Sequence, residues 1–266
     1  MESPPLESVS DLALVALMAV ALVAGFVDAI AGGGGLLAIP ALLLAGLSPA
    51  ATLGTGKLQA LFGAGMAAIT YAWGGHFRWR DVGWLSASAL VGSVGGALLA
   101  KSLPTEFLRV LLPIMLIVIA AYFALKPSLD DIDRERRVGA LAFGLTAAPV
   151  IGFYDGVFGP GAGSFYMLAF VALAGMGVLR ATAHTKLLNF ASNVGGFAVF
   201  ALAGVVHWRI GLAMGAMQIV GAWLGARMAM RIGSRLIKPL LVTVCLVLAA
   251  RVLADETNPI RHWLAG

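Results

Sequence analysis

Charge is what this sequence lacks most. Only 12% of its 266 residues are Asp, Glu, Lys or Arg, against 60% hydrophobic. Soluble domains average about 25% charged residues. With so few charges, a water-facing surface of this size is excluded, and a bilayer removes the need for one. Apolar runs without period-two alternation exclude a transmembrane barrel, whose strands must alternate. Backbone groups in lipid must find partners within the chain, so the spans are helices. A single cysteine, Cys245, excludes an internal disulfide. There is no Asn-x-Ser/Thr site. Residues 1–11 contain no Lys or Arg, so the basic start of a cleaved signal peptide is missing and the first apolar run reads as retained.

What is present is apolar length. The mean hydropathy is +0.94. Apolar runs cover roughly 12–31, 36–47, 58–75, 82–100 and 107–125, then 138–158, 162–178, 187–206, 210–229 and 236–254. Most approach the ~20 residues a spanning helix needs. The run 36–47 is too short and reads as a half-helix or re-entrant piece. One strongly charged stretch, 126–137, divides the chain. The expected organisation is a tail 1–11, a first transmembrane repeat 12–125, a charged linker 126–137, a second repeat 138–254 and a tail 255–266. The net charge of +5 lies in short loops and reads as membrane topology rather than nucleic-acid binding.

The halves match each other. Gly25-Phe26-x-Asp28 corresponds to Gly152-Phe153-x-Asp155, Gly32-x-Gly34 to Gly159-x-Gly161, Lys57-Leu58 to Lys186-Leu187, His76-Phe77-Arg78 to His207-Trp208-Arg209, and Gly92 to Gly221. The offsets are 127, 127, 129, 131 and 129. If the segment 12–47 turns back at its glycines, each half has five passes. The Lys and Arg residues then divide 12 to 6 between the two sides. The positive-inside rule prefers that division, with both termini outside and the repeats inverted. The fold class expected is an all-α polytopic membrane protein of two homologous halves of four to five segments each.

Two paired features carry the chemistry. Gly32, Gly33, Gly34 and Gly35, and their counterparts Gly159, Gly161 and Gly163 around Pro160, interrupt apolar runs. Irregular backbone at membrane depth survives only when buried in protein or facing water. A half-helix starting there turns free N–H groups and the positive dipole end toward an anion. Paired interruptions in two halves are a pointer to a transporter's binding site; close helix packing is the alternative reading. The second feature is Thr55, Lys57 and Gln59 with His184, Thr185, Lys186, Asn189 and Asn193. The spacing Thr55/Gln59 and Thr185/Asn189/Asn193 puts charge and hydrogen-bond donors on shared helix faces. Lysines that snorkel to the interface are the alternative. Asp28 and Asp155 precede the glycine breaks by four residues. Such acids carry protons, coordinate a cation, neutralise the lysines or cap the broken helix. His76 and His207 read as interfacial, beside Trp73, Trp79, Trp84 and Trp208.

Enzyme signatures fail. Gly54-Thr55-Gly56-Lys57-Leu58 lacks the hydroxyl residue and the earlier glycine of a phosphate-binding loop, and Gly32-x-Gly34 lacks a third glycine because residue 37 is leucine. No nucleophile–base constellation or metal-ligand cluster stands out, so no cofactor is expected.

The run Gly25-Phe26-Val27-Asp28-Ala29-Ile30-Ala31-Gly32-Gly33-Gly34-Gly35-Leu36-Leu37-Ala38-Ile39-Pro40, with Ser48-Pro49-Ala50 and Thr55-Gly56-Lys57-Leu58-Gln59, resembles the sulfite exporter TauE/SafE family, also called the four-TMS sulfate/sulfite uptake and export superfamily. Arg180 to Asn193 resembles that family's second signature, and the likeness covers about 20–254. Gly56 departs from it, standing where the family form has Asn. The resemblance implies a bacterial-type cytoplasmic-membrane permease for sulfur oxyanions or organosulfonates. The expectation is therefore a secondary transporter or facilitator, exporting a small anion bound between the repeats. Asp28 and Asp155 are its coupling candidates, and its partners are the anion and the bilayer, with a homo-oligomer compatible. The rival readings are a cation or neutral-solute transporter, an intramembrane enzyme, and a structural or sensing subunit.

Overall fold

The computed structural model describes residues 10–104, 132, 133, 135 and 137–233. The expected spans 107–125 and 236–254, part of the charged stretch, both tails and Cys245 lie outside these residues. Every element among the described residues is helical. In chain order they are α1 (Asp11–Ala31), α2 (Gly34–Leu44), α3 (Pro49–Trp73), α4 (Trp79–Ser102), α5 (Ala140–Leu145), α6 (Ala147–Val157), α7 (Ala162–Ala172), α8 (Val178–Leu202) and α9 (Trp208–Ile232).

Local sequence explains the boundaries. Ser10 Oγ accepts from the Ala13 N–H at 3.2 Å and starts α1, with Asp11 in its first turn. Gly32 ends α1 at φ 77°, a left-handed conformation that glycine adopts without strain. Two residues later the chain re-enters a helix and folds back. Leu17, Ala21 and Ala24 of α1 pack with Ala38 and Leu42 of α2. α2 has 11 residues, about 16 Å of helix, so the short apolar run is a half-helix as its length requires. α7 is its counterpart, also of 11 residues. The expected run 138–158 is not continuous: Thr146 (φ −123°, ψ −77°) separates α5 from α6. Pro149 accounts for this, because it has no N–H to give Leu145 and its ring would press on that carbonyl.

The correspondence seen in sequence is met again in the packing. α1 rests on α9, where Gly221 and Gly225 leave room for the Leu22 and Phe26 carbonyls. α4 rests on α6, where Gly92 and Gly96 leave room for the Pro149 and Phe153 carbonyls. These are the same four positions at offsets of 127 and 129. Small residues four apart let the backbones approach, as helix association in a membrane needs. Thus α1 lies on α9 and α6 lies on α4 through matching pairs of glycines.

Three segments, Asp11–Ala31, Trp79–Ser102 and Ala140–Val157, are long and apolar enough to cross a membrane. The described surface is strongly apolar, with Leu202 90% and Leu12 81% exposed. Trp73, Trp79, Trp84 and Trp208 are also exposed, and they sit at helix ends where aromatic belts form. α3 and α8 are less apolar because their polar residues face inward. Residues 51–59 and 181–189 are buried without a break.

Candidate functional site

The tips of the two hairpins meet in the interior. Ser164 Oγ donates to the Ala31 carbonyl. A side chain on Gly163 would lie 2.7 Å from Gly32 Cα, and one on Gly35 would lie 3.2 Å from Pro160 Cα. Only glycine permits that approach. Gly159 and Gly161 have φ of 88° and 76°, which lets the Pro160 turn close with Ala162 N–H donating to Gly159 O at 3.1 Å. Tyr154 Oη holds the turn by donating to Pro160 O at 2.6 Å.

Both lysines reach this region rather than the interface. Lys57 is 4% and Lys186 0% exposed, which removes the snorkelling alternative. They pair crosswise between halves. Lys57 Nζ donates to Asp155 Oδ1 at 2.5 Å, and Ser192 Oγ donates to Asp155 Oδ2. Lys186 Nζ donates to the Asp28 backbone carbonyl and stands 3.6 Å from Asp28 Oδ2. Asp28 Oδ1 accepts from the Gly34 N–H at 3.1 Å. Of the roles left open for the acids, two are therefore visible: they neutralise the lysines, and Asp28 caps the half-helix. The first half-helix thus already holds a carboxylate at its N-terminus. Desolvating two ion pairs is costly, and ionisable residues inside a membrane protein are functional by default.

A cavity of about 40 Å³ lies between the tips, lined by residues that include Asp28, Gly32, Gly35, Gly56, Lys57, Gln59, Asp155, Gly159, Gly163, Asn189 and Asn193. One water needs about 10–15 Å³ by this measure, so there is room for a few waters or a small ion. Asn193 Nδ2 donates to Asn189 O at 2.7 Å and to Asn189 Oδ1 at 3.1 Å, which fixes that pair. Gln59 Oε1, Thr182 Oγ1 and Thr185 Oγ1 are buried with no hydrogen-bond partner among the described residues.

Several expected residues stand elsewhere. Thr55 Oγ1 accepts from the His207 N–H at 3.0 Å and so anchors the turn before α9. His184 Nδ1 lies 2.8 Å from Arg180 O, with the ring against Phe77 and Phe170. Gly33, Gly34, Gly161, Thr185 and Lys186 surround the cavity residues without lining the cavity. Sequence reasoning missed Ser192 and Ser93. Ser192 was legible, because it lies three residues past Asn189 on the face that the Asn189/Asn193 row defines. Ser93, which donates to Ser192 O at 2.5 Å, gave no signal beyond being a serine in an apolar run. Ile39, Leu53, Ala60 and Phe158 form the apolar wall.

Two carboxylates and the Lys57 ammonium therefore line a small cavity, with Lys186 just behind Asp28 and with amides of Gln59, Asn189 and Asn193 on the same wall. The arrangement suits a small polar or charged solute.

Comparison with known proteins agrees. The family profile described as "Sulfite exporter TauE/SafE" matches residues 17–252. The chain is 55% identical over 251 residues to "Probable membrane transporter protein ORF9" of a Sinorhizobium species, covering 94% of this chain and 96% of that protein. It is 48% identical to "Probable membrane transporter protein YfcA" of Escherichia coli K12, covering 96% of each. It is 24% identical to "Probable membrane transporter protein YunE" of Bacillus subtilis, covering 85% of this chain and 90% of that protein. No solved structure matches it. By that coverage and identity, this chain belongs to the sulfite exporter TauE/SafE family of membrane transport proteins.

Proposed function

We propose that this protein is a secondary transporter that exports a small anion across the inner membrane. The proposed cargo is sulfite, another sulfur oxyanion or an organosulfonate. In this reading the multi-pass chain consists of two inverted repeats, 12–125 and 138–254, joined by the linker 126–137, with both termini outside. The observation that carries it is the crossed pairing of Lys57 with Asp155 and Lys186 with Asp28 around a cavity at the meeting of two half-helix starts. An anion there exchanges with a carboxylate for lysine charge, and the amides of Gln59, Asn189 and Asn193 contribute hydrogen bonds to its oxygens. Repeats that share a site lend themselves to alternating access by rocking. Fold likeness does not select among sulfur anions.

A second reading has one observation in its favour. Both carboxylates and the unpartnered Gln59 Oε1 line or face the cavity, whereas Lys186 does not, and such oxygens suit a small cation. One experiment separates the two. The purified chain is melted in detergent against sulfite, sulfate, thiosulfate, sulfoacetate, chloride and phosphate as sodium salts, and against sodium, potassium and lithium chlorides. A ligand specific to the folded state raises the midpoint by mass action. A selective rise with one sulfur anion supports the anion reading. A rise that follows the cation and ignores the anion replaces it with the second.

A further inference from the structure

We infer that the anion enters this site together with one proton, and that Asp28 is the group that takes it. The inference rests on the anion reading above and adds the coupling ion and its place.

The first argument is charge. Lys57, Lys186, Asp28 and Asp155 sum to zero. Among the described residues, no other ionised side chain is buried with them. His184, the other buried titratable group of α8, is packed between Phe77 and Phe170. The hydroxyls of Tyr71 and Tyr166 are committed to the carbonyls of Ala29 and Ala148. A monoanion added to this neutral interior leaves one uncompensated negative charge away from water, at a cost of several kcal/mol. A proton delivered with it restores neutrality.

The second argument is that the two acids are not equivalent. Both oxygens of Asp155 are engaged, Oδ1 by Lys57 and Oδ2 by Ser192. Asp28 uses Oδ1 for the Gly34 N–H. Its Oδ2 has no hydrogen bond among the described residues, since Lys186 Nζ stands off at 3.6 Å and donates to the Asp28 backbone carbonyl instead. Beyond about 3.5 Å there is no hydrogen bond to break. Asp28 lines the cavity, and its side chain is 13% exposed against 2% for Asp155. An O–H bond therefore forms on Oδ2 from a solvent proton without loss of any existing hydrogen bond, at the expense of the 3.6 Å ion pair with Lys186. Lys186 keeps its backbone acceptor, and its charge is released from the carboxylate toward the anion. The new hydroxyl faces a cavity that already contains an acceptor without a donor, Gln59 Oε1.

The groups facing Asp28 are Lys186 from α8, Asp155 from α6, and Tyr71 and Lys57 from α3. α2 has no titratable residue, α7 contributes only Tyr166, and α9 carries its charges, Arg209, Arg227 and Arg231, toward its two ends. Asp155 offsets one of the two lysines, which leaves one positive charge facing Asp28, and an anion entering the cavity offsets that charge.

The test is isothermal titration calorimetry on the full chain in detergent, with methanesulfonate and with sulfite. Each is run at two pH values one unit apart, at each pH in two buffers of different ionisation enthalpy, and sulfite's own proton release is subtracted. The expected result is uptake of about one proton per bound anion, with a dissociation constant that rises about tenfold per unit of pH. Asp28→Asn should bind the anion with no proton uptake and no such pH dependence. Anion binding without proton uptake in the unaltered chain overturns the inference and leaves the anion site standing. Unchanged uptake in Asp28→Asn overturns the assignment to Asp28. No binding of either anion overturns the anion reading itself. The measurement on the unaltered chain decides the question even if the variant does not fold.

Discussion

Replacing Lys57 with methionine keeps an unbranched side chain, one atom shorter, and removes its charge. In the fold, Lys57 Nζ lies 2.5 Å from Asp155 Oδ1, with the two side chains 4% and 2% exposed. The substitution leaves Asp155 buried without its cationic partner and held only by Ser192. Breaking a buried pair from one side costs about 3–5 kcal/mol, a large share of the ~5–15 kcal/mol that separates folded from unfolded states. The double variant Lys57→Met/Asp155→Asn buries no charge, and its cost should fall to on the order of 1 kcal/mol. Asp155→Asn strands Lys57 in the same way, so the double variant should cost at least about 5 kcal/mol less than the two single variants together. Denaturant or thermal unfolding in detergent measures all four corners. The double variant also separates architecture from transport: it should fold, yet lose stabilisation by anions. If Lys57→Met costs less than about 1 kcal/mol, or the cycle is additive, the pair does not hold the site together and the reasoning fails. For Lys186 and Asp28, at 3.6 Å, the same cycle should give a smaller coupling.

Gly32→Ala places a Cβ against the backbone of Gly163 and Ser164 at φ 77°; it should cost more than the ~1–2 kcal/mol of left-handed strain alone, read as a lowered melting midpoint. Gly56 has no neighbour nearer than 3.9 Å to an added Cβ; Gly56→Ala should stabilise α3 by about 0.5–1 kcal/mol while filling cavity space and weakening the thermal response to anions. Asp133 binds the Gly177 N–H at 2.6 Å and pairs with Arg180, and these contacts hold its carboxyl below the ordinary carboxylate range, the backbone bond first. Its contribution is thus present above that range and lost as pH falls through it. Asp133→Asn should lower stability at neutral pH slightly and flatten the acid end of the stability–pH curve; an unchanged acid limb would show that the contact contributes nothing.

The helical membrane class and the half-helices were legible because each depends on local composition or length. Gly32 and Gly159 interrupt apolar runs visibly, and 36–47 is too short to span. The break at Thr146 was missed although Pro149 was in view, since a proline four residues into a helix is tolerated or not according to what packs around it. The site was legible in part. Asn189 and Asn193 reach the cavity from one face because they are four residues apart, and Lys57 and Gln59 line it from α3. Thr55 shares the four-residue spacing with Gln59 and His184 adjoins Thr185, yet a nearby turn and an aromatic pair claim them, and no single-sequence pattern reports such competition. The crossed pairing was beyond sequence, because it depends on how α1 and α6 approach α8 and α3. Ser93 acquires its role only from that approach.

The crossed pairs also set a problem of timing during synthesis. Lys57 emerges 98 residues before Asp155, and Asp28 emerges 158 residues before Lys186. At ~5–20 residues per second, that is a wait of roughly 5–30 s. Throughout it, the newly inserted first half holds an acid and a base whose permanent partners do not yet exist. Apart from Asp11, exposed at the start of α1, Asp28 and Lys57 are the only charges within α1–α3, so each is the only opposite charge the nascent half offers the other in its interior. A pairing between them must be given up when the second half arrives, and biogenesis is therefore an exchange of partners.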